Sequence, residues 1–185
     1  MTLDIRNERI CLMGASGSGK DWITSHLVKR YNYIRLSFSD ALKEIASNSF
    51  DWLKKDYSPD EKEKPLNVKT YTGELITLSP REIWLKMNFL RQIEDGLFVR
   101  KMKEELEKLE YEGFEHFVIS DLRTKPELDF VKENGFSIIK IVNPNNYHPD
   151  NEFDKMQNSK EFVEAVVKTY HNEIGKEFTP KEFWI

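Results

Sequence analysis

The sequence predicts an α/β fold, in which a parallel sheet carries helices on both faces. Short apolar segments of strand-like composition alternate with longer segments whose apolar residues recur at helical spacing. Strands that alternate with helices are joined by crossover connections, which place neighbouring strands parallel. The 185 residues have the length of one domain, and 39% of them are apolar, enough for a substantial core.

The first strand is predicted at residues 10–13, where four apolar side chains follow one another and a glycine comes directly after. A continuous apolar run of this length is typical of a strand that is buried on both faces. A helix is predicted from about 21 to 30, because apolar residues recur there at helical spacing. A second strand is predicted at 33–38.

Ser39 or Asp40 is predicted as the N-cap of the next helix, since short polar side chains accept hydrogen bonds from the first helical amides. That helix is expected to carry Leu53 on its apolar face. Residues 56–78 contain two prolines, a glycine and a run of five charges, and they predict a long surface excursion. Ser79 is predicted to cap a further helix, with proline at its first position and glutamate at its third.

The second half of the chain continues the alternation. The predicted elements are a helix at 95–111, a strand at 116–120, a helix at 127–134, a strand at 136–142, a loop-like segment at 143–158 and a helix at 159–172. In the last helix the apolar side chains are expected to face inward. They are Phe162, Val163, Val166, Val167 and Tyr170.

A glycine-rich loop follows the first strand and matches the phosphate-loop pattern through Gly14, Gly19 and Lys20. Glycines let consecutive backbone amides turn inward around a phosphate, and the following helix adds its positive end. The lysine supplies a movable charge for the β- and γ-phosphates. The loop residues expected to hold the phosphates are Gly14, Ala15, Ser16, Gly17, Ser18, Gly19, Lys20 and Asp21.

Asp21 stands where the strict pattern requires the serine or threonine that holds Mg²⁺. A carboxylate binds Mg²⁺ directly or through water, so the metal role is expected to survive this replacement. The alternative interpretation of the whole segment is an ordinary glycine–serine turn. The strand before it and the helix after it favour phosphate binding.

Asp121 and Arg123 follow the third long strand of the predicted sheet. Ligands bind at the carboxyl ends of strands in open α/β sheets. Asp121 is therefore a candidate metal ligand or acceptor-orienting group, and Arg123 is a candidate clamp for an acceptor phosphate. The alternative is a surface ion pair of Asp121 with Arg123 or Lys125 that caps the next helix.

Composition restricts the partners and the compartment. The chain has 28 basic and 32 acidic residues and a net charge of −4, which disfavours a nucleic acid polymer or an anionic membrane as the main partner. With Cys11 as its one cysteine, the chain forms no internal disulfide. The polar N-terminus and the lack of a long apolar run predict a cytoplasmic protein, in the host cytoplasm if a phage encodes it.

Several segments, taken in order, resemble the P-loop nucleoside monophosphate kinases, and most closely the phage-type deoxynucleoside monophosphate kinases. The aspartate directly after the loop lysine is a habit of the phage-type group. The segments that carry the resemblance are GASGSGKD (14–21), SFSDALKE (37–44), LSPREIW (78–84), VISDLRTKPEL (118–128) and HPDNEF (148–153).

This resemblance implies a P-loop NTPase three-layer sandwich in one domain spanning 1–185, with a mobile acceptor flap at about 56–91 and a lid at about 143–158. It implies transfer of the γ-phosphoryl group of ATP, with Mg²⁺, to a deoxynucleoside monophosphate acceptor. Lys20, Asp121 and Arg123 would be catalytic, and Asp21 and Asp121 would hold the metal. The acceptor would contact Asp40, Lys43, Arg81, Arg91, Arg123, His148 and Glu152. Homodimers occur in the family.

The sequence departs from the family pattern in ways that bear on catalysis. No arginine follows Arg123, whereas many monophosphate kinases neutralise the migrating phosphoryl group with lid arginines. Lys155, Lys160 or an arginine within 81–100, such as Arg91 or Arg100, must then take that role, or the chemistry is slow. Lysine is the poorer planar clamp. Two alternatives stay open: a P-loop kinase of another small phosphorylated metabolite, and a non-catalytic nucleotide-binding module.

Overall fold

The computed structural model describes residues 8–58, 60–145, 155–172 and 178. Its helices and strands, in chain order, are β1 (Arg9–Met13), α1 (Lys20–Tyr31), β2 (Ile34–Leu36), α2 (Phe38–Ser49), β3 (Val68–Lys69), β4 (Leu75–Ile76), α3 (Pro80–Met87), α4 (Leu90–Ile93), α5 (Leu97–Tyr111), β5 (Phe117–Ile119), α6 (Lys125–Glu133), β6 (Ser137–Val142), α7 (Lys160–Ala165) and β7 (Val166–His171). They form two compact units: the first comprises Met1–Ser37 and Lys103–Ile185, and the second comprises Phe38–Met102.

The first unit contains a five-stranded sheet in the order β2-β5-β1-β6-β7. Each pair of neighbouring strands is parallel, as the alternation of strands and helices predicts. The central strand β1 is shielded on both faces, because Ile10, Cys11, Leu12 and Met13 are all completely buried. This burial explains why β1 is a continuous apolar run rather than an alternating one.

The chain order of the strands creates a topological switch point at β1. The strand is flanked by β5 on one side and by β6 on the other. Cys11 pairs with Ile119 of β5, and Met13 pairs with Lys140 of β6. The residues that follow these three strands therefore lie along one edge of the sheet, where open α/β sheets bind their ligands.

The prediction of a last helix over 159–172 is wrong in its second half. Helix α7 ends at Ala165, and β7 then pairs along β6 from Ile138 to Val142. Val163 and Val167, which the helical pattern placed inward, are 50% and 58% exposed. Phe162, Val163, Val166, Val167 and Tyr170 follow helical spacing, but Val166 and Val167 are β-branched, and β7, which contains them, pairs with β6.

Helix α2 also differs from its prediction. It begins at Phe38, so Ser39 and Asp40 lie in its first turn rather than at its N-cap. It ends at Ser49, and Leu53 lies beyond it, although its side chain is buried as expected. Burial of Phe38, which is 1% exposed, stabilises the earlier start.

The second unit has its own apolar cluster and a small hairpin. Ala46, Leu53 and Ile83 form the buried centre, with aromatic side chains packed around it. The excursion predicted at 56–78 contains the two-stranded antiparallel sheet of β3 and β4. Ser79 caps α3 as predicted: its hydroxyl accepts from the Glu82 amide, and the Glu82 carboxylate accepts from the Ser79 amide at 2.8 Å.

No helix among the described ranges is at once long and apolar enough to cross a bilayer.

Candidate functional site

The phosphate loop, residues 14–20, joins β1 to α1 at the switch point. Gly17 and Gly19 have φ angles of 74° and 94°, in the region that favours glycine. Alternation of left-handed and ordinary residues turns successive amides toward one side and forms an anion-binding concavity. Gly19 is also the N-cap of α1, so the positive end of that helix faces the same concavity.

The loop lies close against the ends of β6 and β7. A Cβ at Gly14 would overlap the carbonyl oxygen of Ile141, and a Cβ at Gly19 would overlap the side-chain amide of Asn172. The Asn172 Nδ2 donates to the Ser18 carbonyl at 3.0 Å. Gly14 is therefore required by the backbone of β6, whereas Gly19 is favoured by its φ angle of 94°, since the Asn172 side chain could move away from a Cβ.

The Lys20 ammonium lies over the loop itself. Its Nζ donates to the carbonyls of Gly14 and Ala15 at 2.5 and 2.8 Å. It also lies 3.4 Å from the hydroxyl of Ser18, which is 2% exposed. The cation is thus positioned on the same side of α1 as the amides that would hold a polyphosphate.

Asp121 follows β5 at the level where the phosphate loop follows β1. Cys11 pairs with Ile119, the last residue of β5, and Asp121 follows two residues later. Ser37, directly after β2, donates its hydroxyl to Asp121 Oδ2 at 2.7 Å. Asp121 thus follows a strand that neighbours β1, at the edge of the sheet where the phosphate loop follows β1, and its role there stays a prediction.

Arg123 is exposed, but the backbone that carries it is fixed by two buried polar side chains. The Glu127 carboxylate, completely buried, accepts from the amides of Arg123 at 2.7 Å and Thr124 at 3.0 Å. The side-chain amide of Gln157, which is 6% exposed, donates to the Leu122 carbonyl at 3.1 Å. These hydrogen bonds fix the backbone from which the Arg123 side chain extends.

A magnesium ion would find hard oxygen donors at this edge. Asp21 is exposed in the first turn of α1, and Asp121 is partly exposed after β5. Mg²⁺ prefers one or two protein carboxylates together with phosphate oxygens and water, so this donor set suits it. Groups of three or more metal-ligating side chains do not occur within the described part of the chain, and Mg²⁺ does not require one.

Cys11 lies beneath the loop in β1 and plays no part in this chemistry. Burial raises the pKa of its thiol well above the usual value, and the negative charges of Asp121 and Glu127 raise it further. The thiol therefore stays protonated at neutral pH and is a poor nucleophile.

In the second unit, the residues predicted to contact an acceptor are held mostly by their own neighbours. Lys43 Nζ lies 3.3 Å from Asp40 on the same helix and 5.5 Å from the centre of the Trp84 ring on α3. Asp40, Lys43 and Trp84 thus form one charged and aromatic cluster. Trp84 also packs against Tyr57.

Arg81 and Arg91, the predicted acceptor arginines of this unit, and Arg100, a candidate stabiliser of the migrating phosphoryl group, each contact a neighbouring side chain of the unit. Arg81 pairs with Glu63 at 2.8 Å, and Arg100 pairs with Glu94 at 3.0 Å. The Arg91 guanidinium carbon lies 4.6 Å from the centre of the Phe98 ring. Contacts with carboxylates and with an aromatic ring therefore orient the side chains of these arginines.

His148 and Glu152 lie outside the described residues, and so does most of the proposed lid. Sequence reasoning missed four polar side chains that shape the first unit: Ser37, Glu127, Gln157 and Asn172. One of them could have been found from the sequence, because Thr124, Pro126 and Glu127 repeat the capping pattern of Ser79, Pro80 and Glu82. The other three act across the fold and leave no local pattern.

The parallel sheet, the switch point at β1 and the glycine loop leading into α1 define an α/β P-loop NTPase fold. No family model matches the chain. It is 31% identical over 147 residues to a protein of Acanthamoeba polyphaga mimivirus named "Putative deoxynucleotide monophosphate kinase", a match that covers 73% of this chain and 74% of that protein. The chain belongs to this family, the deoxynucleotide monophosphate kinases, and is a P-loop kinase.

Two solved structures show a more distant similarity to the chain. The dephospho-CoA kinase from Campylobacter jejuni is 14% identical with a TM-score of 0.49, and the match covers 94% of this chain and 91% of that one. A gluconokinase from Sinorhizobium meliloti 1021 is 15% identical with a TM-score of 0.33, covering 91% of this chain and 83% of that one. Membership of the family rests on the sequence relationship with the mimivirus protein.

Proposed function

We propose that this kinase transfers the γ-phosphoryl group of ATP to the 5′-phosphate of a deoxynucleoside monophosphate and yields the diphosphate. The name of the mimivirus relative and the resemblance of the acceptor-side segments support this choice of acceptor. The main observation in support of a kinase is the phosphate loop at the switch point. Lys20 lies over this loop, and Asp121 follows the strand that neighbours β1.

The proposed chemistry needs positioning and positive charge more than covalent participation by the protein. The acceptor phosphate is already an anionic nucleophile at neutral pH, so no serine or cysteine has to be activated. The loop amides and Lys20 would hold the β- and γ-phosphates of the donor. Arg123 would grip the acceptor phosphate, with its backbone fixed by Glu127.

Asp21 and Asp121 are the carboxylates proposed to hold Mg²⁺. When bound, the metal supplies positive charge that neutralises the phosphate oxygens during transfer. The hydrogen bond from Ser37 orients the Asp121 carboxylate at the sheet edge. Asp40, Lys43, Arg81 and Arg91 remain the proposed acceptor contacts of the second unit, and His148 and Glu152 those of the lid.

The test is a panel of acceptors incubated with ATP and Mg²⁺, with diphosphate products separated by chromatography. The proposal requires turnover of at least one deoxynucleoside monophosphate. A second part of the test repeats the panel with the Arg123→Lys variant. This substitution keeps the charge but loses the planar fork, so the KM for the acceptor should rise. Phosphorylation of another small metabolite, with no turnover of any deoxynucleotide, would reject the proposed acceptor class.

A non-catalytic nucleotide-binding role is the second candidate, and one observation favours it. Arg81 and Arg100, two of the arginines available to replace lid arginines, are engaged by Glu63 and Glu94 in exposed ion pairs. Under this alternative the protein binds ATP but transfers phosphate to no acceptor. A measured turnover rate well above ATP hydrolysis would eliminate it.

A further inference from the structure

Asn172 contacts the phosphate loop from the far end of the chain. It directly follows β7, and its backbone amide donates to the Val142 carbonyl at 2.8 Å, which extends the pairing with β6 by one residue. Its side-chain Nδ2 donates to the Ser18 carbonyl at 3.0 Å. Backbone pairing therefore fixes the position from which this side chain reaches the loop.

The hydrogen bond to Ser18 also determines where the next amide points. All described peptide bonds are trans, and in a planar trans peptide the carbonyl and the amide point in opposite directions. A Ser18 carbonyl directed at Asn172 therefore turns the Gly19 N–H away from β7. That amide belongs to the N-cap of α1, where an incoming phosphate meets the positive end of the helix.

Close packing makes this orientation specific. The Cβ of any residue larger than glycine at position 19 would overlap the Asn172 side chain. Ser18 itself is buried, so its carbonyl has little access to water as a substitute partner. Loss of the asparagine donor would leave a buried carbonyl unsatisfied and release the Ser18–Gly19 peptide to rotate.

We propose that Asn172 is a positioning residue of the donor site, which fixes the Ser18–Gly19 peptide so that the Gly19 amide faces the phosphates of ATP. The role rests on the proposed function only in taking ATP as the ligand of the loop. Asn172 contacts the loop backbone and acts on the ligand through it.

The test compares Asn172→Leu with Asn172→Ala by titration calorimetry of ATP with Mg²⁺. Leucine has the branching of asparagine but no donor, so it removes the hydrogen bond while keeping most of the volume. We expect both variants to weaken ATP binding by about tenfold, the effect of losing one well-oriented amide contact. In steady-state assays KM for ATP should rise while KM for the acceptor stays unchanged.

Asn134→Leu is the matched control. The Asn134 Nδ2 also donates to a backbone carbonyl, that of Phe130 at 2.8 Å, but at the C-terminal end of α6. This control variant is expected to lower the melting temperature without changing the Kd for ATP. All variants are compared well below their melting temperatures, so that unfolding does not enter the Kd.

Three outcomes would overturn the inference. The first is an Asn172→Leu protein that binds ATP as tightly as the unsubstituted protein, which would show that Asn172 contributes only packing. The second is an equal loss of affinity in Asn134→Leu, which would show a general loss of stability. The third, failure of the unsubstituted protein to bind ATP, would overturn the donor site and the proposed function together, whereas the first two leave the function intact.

Discussion

The phosphate loop region of the first unit and the arginine-bearing region of the second unit hold their charged groups in different ways. In the first unit, the geometry is set by backbone conformation and by partly buried hydrogen bonds, that of Asn172 to the loop and that of Glu127 to the turn after β5. In the second unit, Arg81 and Glu63 meet as side chains that are 48% and 50% exposed. The first arrangement is independent of salt, whereas exposed ion pairs are weak and screened.

This difference bears on the proposed function. A loop held by its backbone would present the same amides to any nucleotide, which suits the proposed donor, ATP. Exposed arginines that pair with carboxylates can exchange those partners for an anionic substrate at small cost. The comparison predicts large, discrete effects of mutations in the first region and graded, salt-sensitive effects in the second.

The largest effect is expected from Lys20→Ala. The ammonium is the one side-chain cation hydrogen-bonded to the loop carbonyls among the described residues, and transfer should fall by about 10³-fold or more. Lys29→Ala, on the exposed last turn of the same helix, is the matched control and should leave kcat unchanged. Near-normal turnover in Lys20→Ala, measured by coupled assay, would contradict the donor-site assignment.

The next largest effect is expected on acceptor KM, when one arginine of each region is replaced. Arg123→Ala should raise acceptor KM by about 10–100-fold, because its backbone is fixed and its loss cannot be compensated. Arg81→Ala should have a smaller effect that shrinks further at high salt, since Arg81 is already engaged by Glu63. An equal rise in acceptor KM for the two substitutions at every salt concentration would show that the two regions do not differ in this way.

A third effect is expected on the free energy of unfolding, when either of two glutamates with the same local role is replaced. Glu127 and Glu82 each accept from amides at the start of a helix, but Glu127 is completely buried whereas Glu82 is exposed. Glu127→Ala should lower the free energy of unfolding by about 2–3 kcal/mol, because it leaves buried amides without an acceptor. Glu82→Ala should lower it less. Urea denaturation of both variants measures the difference.

Glu127→Ala should also impair acceptor use, if Arg123 depends on the turn that Glu127 holds. Acceptor KM in this variant should move toward that of Arg123→Ala, while KM for ATP stays near its original value. An unchanged acceptor KM would show that Glu127 stabilises the fold without placing Arg123.

The smallest effect concerns His26, on the side of α1 that packs against the Phe178 ring. Partial burial, and then the nearby Arg30 charge, lower the pKa of His26 below its ordinary value. The unfolded chain therefore binds this proton more readily, and stability falls as pH drops through about 6.5 toward the lower pKa of the folded state. Above pH 7 the contribution is fully present.

The melting temperature at pH 7.5 and at pH 5.0 measures this dependence. His26→Gln should lose less stability over that interval than the unsubstituted protein. His171→Gln, which removes an exposed histidine from β7, serves as control. An identical pH profile for His26→Gln would exclude His26 as a contributor.

The sequence predicts the central part of the fold well, because its signals there are local. The buried run of β1, the glycines of the loop and the cap at Ser79 each depend on neighbours within a few residues. The resemblance of several segments to monophosphate kinases agrees with the family shown by the mimivirus relative. Fold class and family were therefore accessible without coordinates.

The parts that could not be predicted depend on partners far away in the sequence. Strand β7 forms because β6 offers it a parallel edge, and nothing within 159–172 distinguishes that strand from a helix. Gln157 and Asn172 are functional candidates only because of the backbone carbonyls that they reach, those of Leu122 and Ser18. The roles of the acceptor residues, including Asp40, Lys43 and Arg91, remain predictions.

The hydrogen bond between Asn172 and Ser18 joins residues 154 positions apart. During synthesis the glycine loop leaves the ribosome early, but the residue that holds one of its peptides emerges only after the whole sheet has been translated. Contacts of such long range form late, since a long loop must close first. If Asn172 positions the loop as proposed, a nucleotide would bind more tightly once the sheet is complete, and its binding would then stabilise the finished fold.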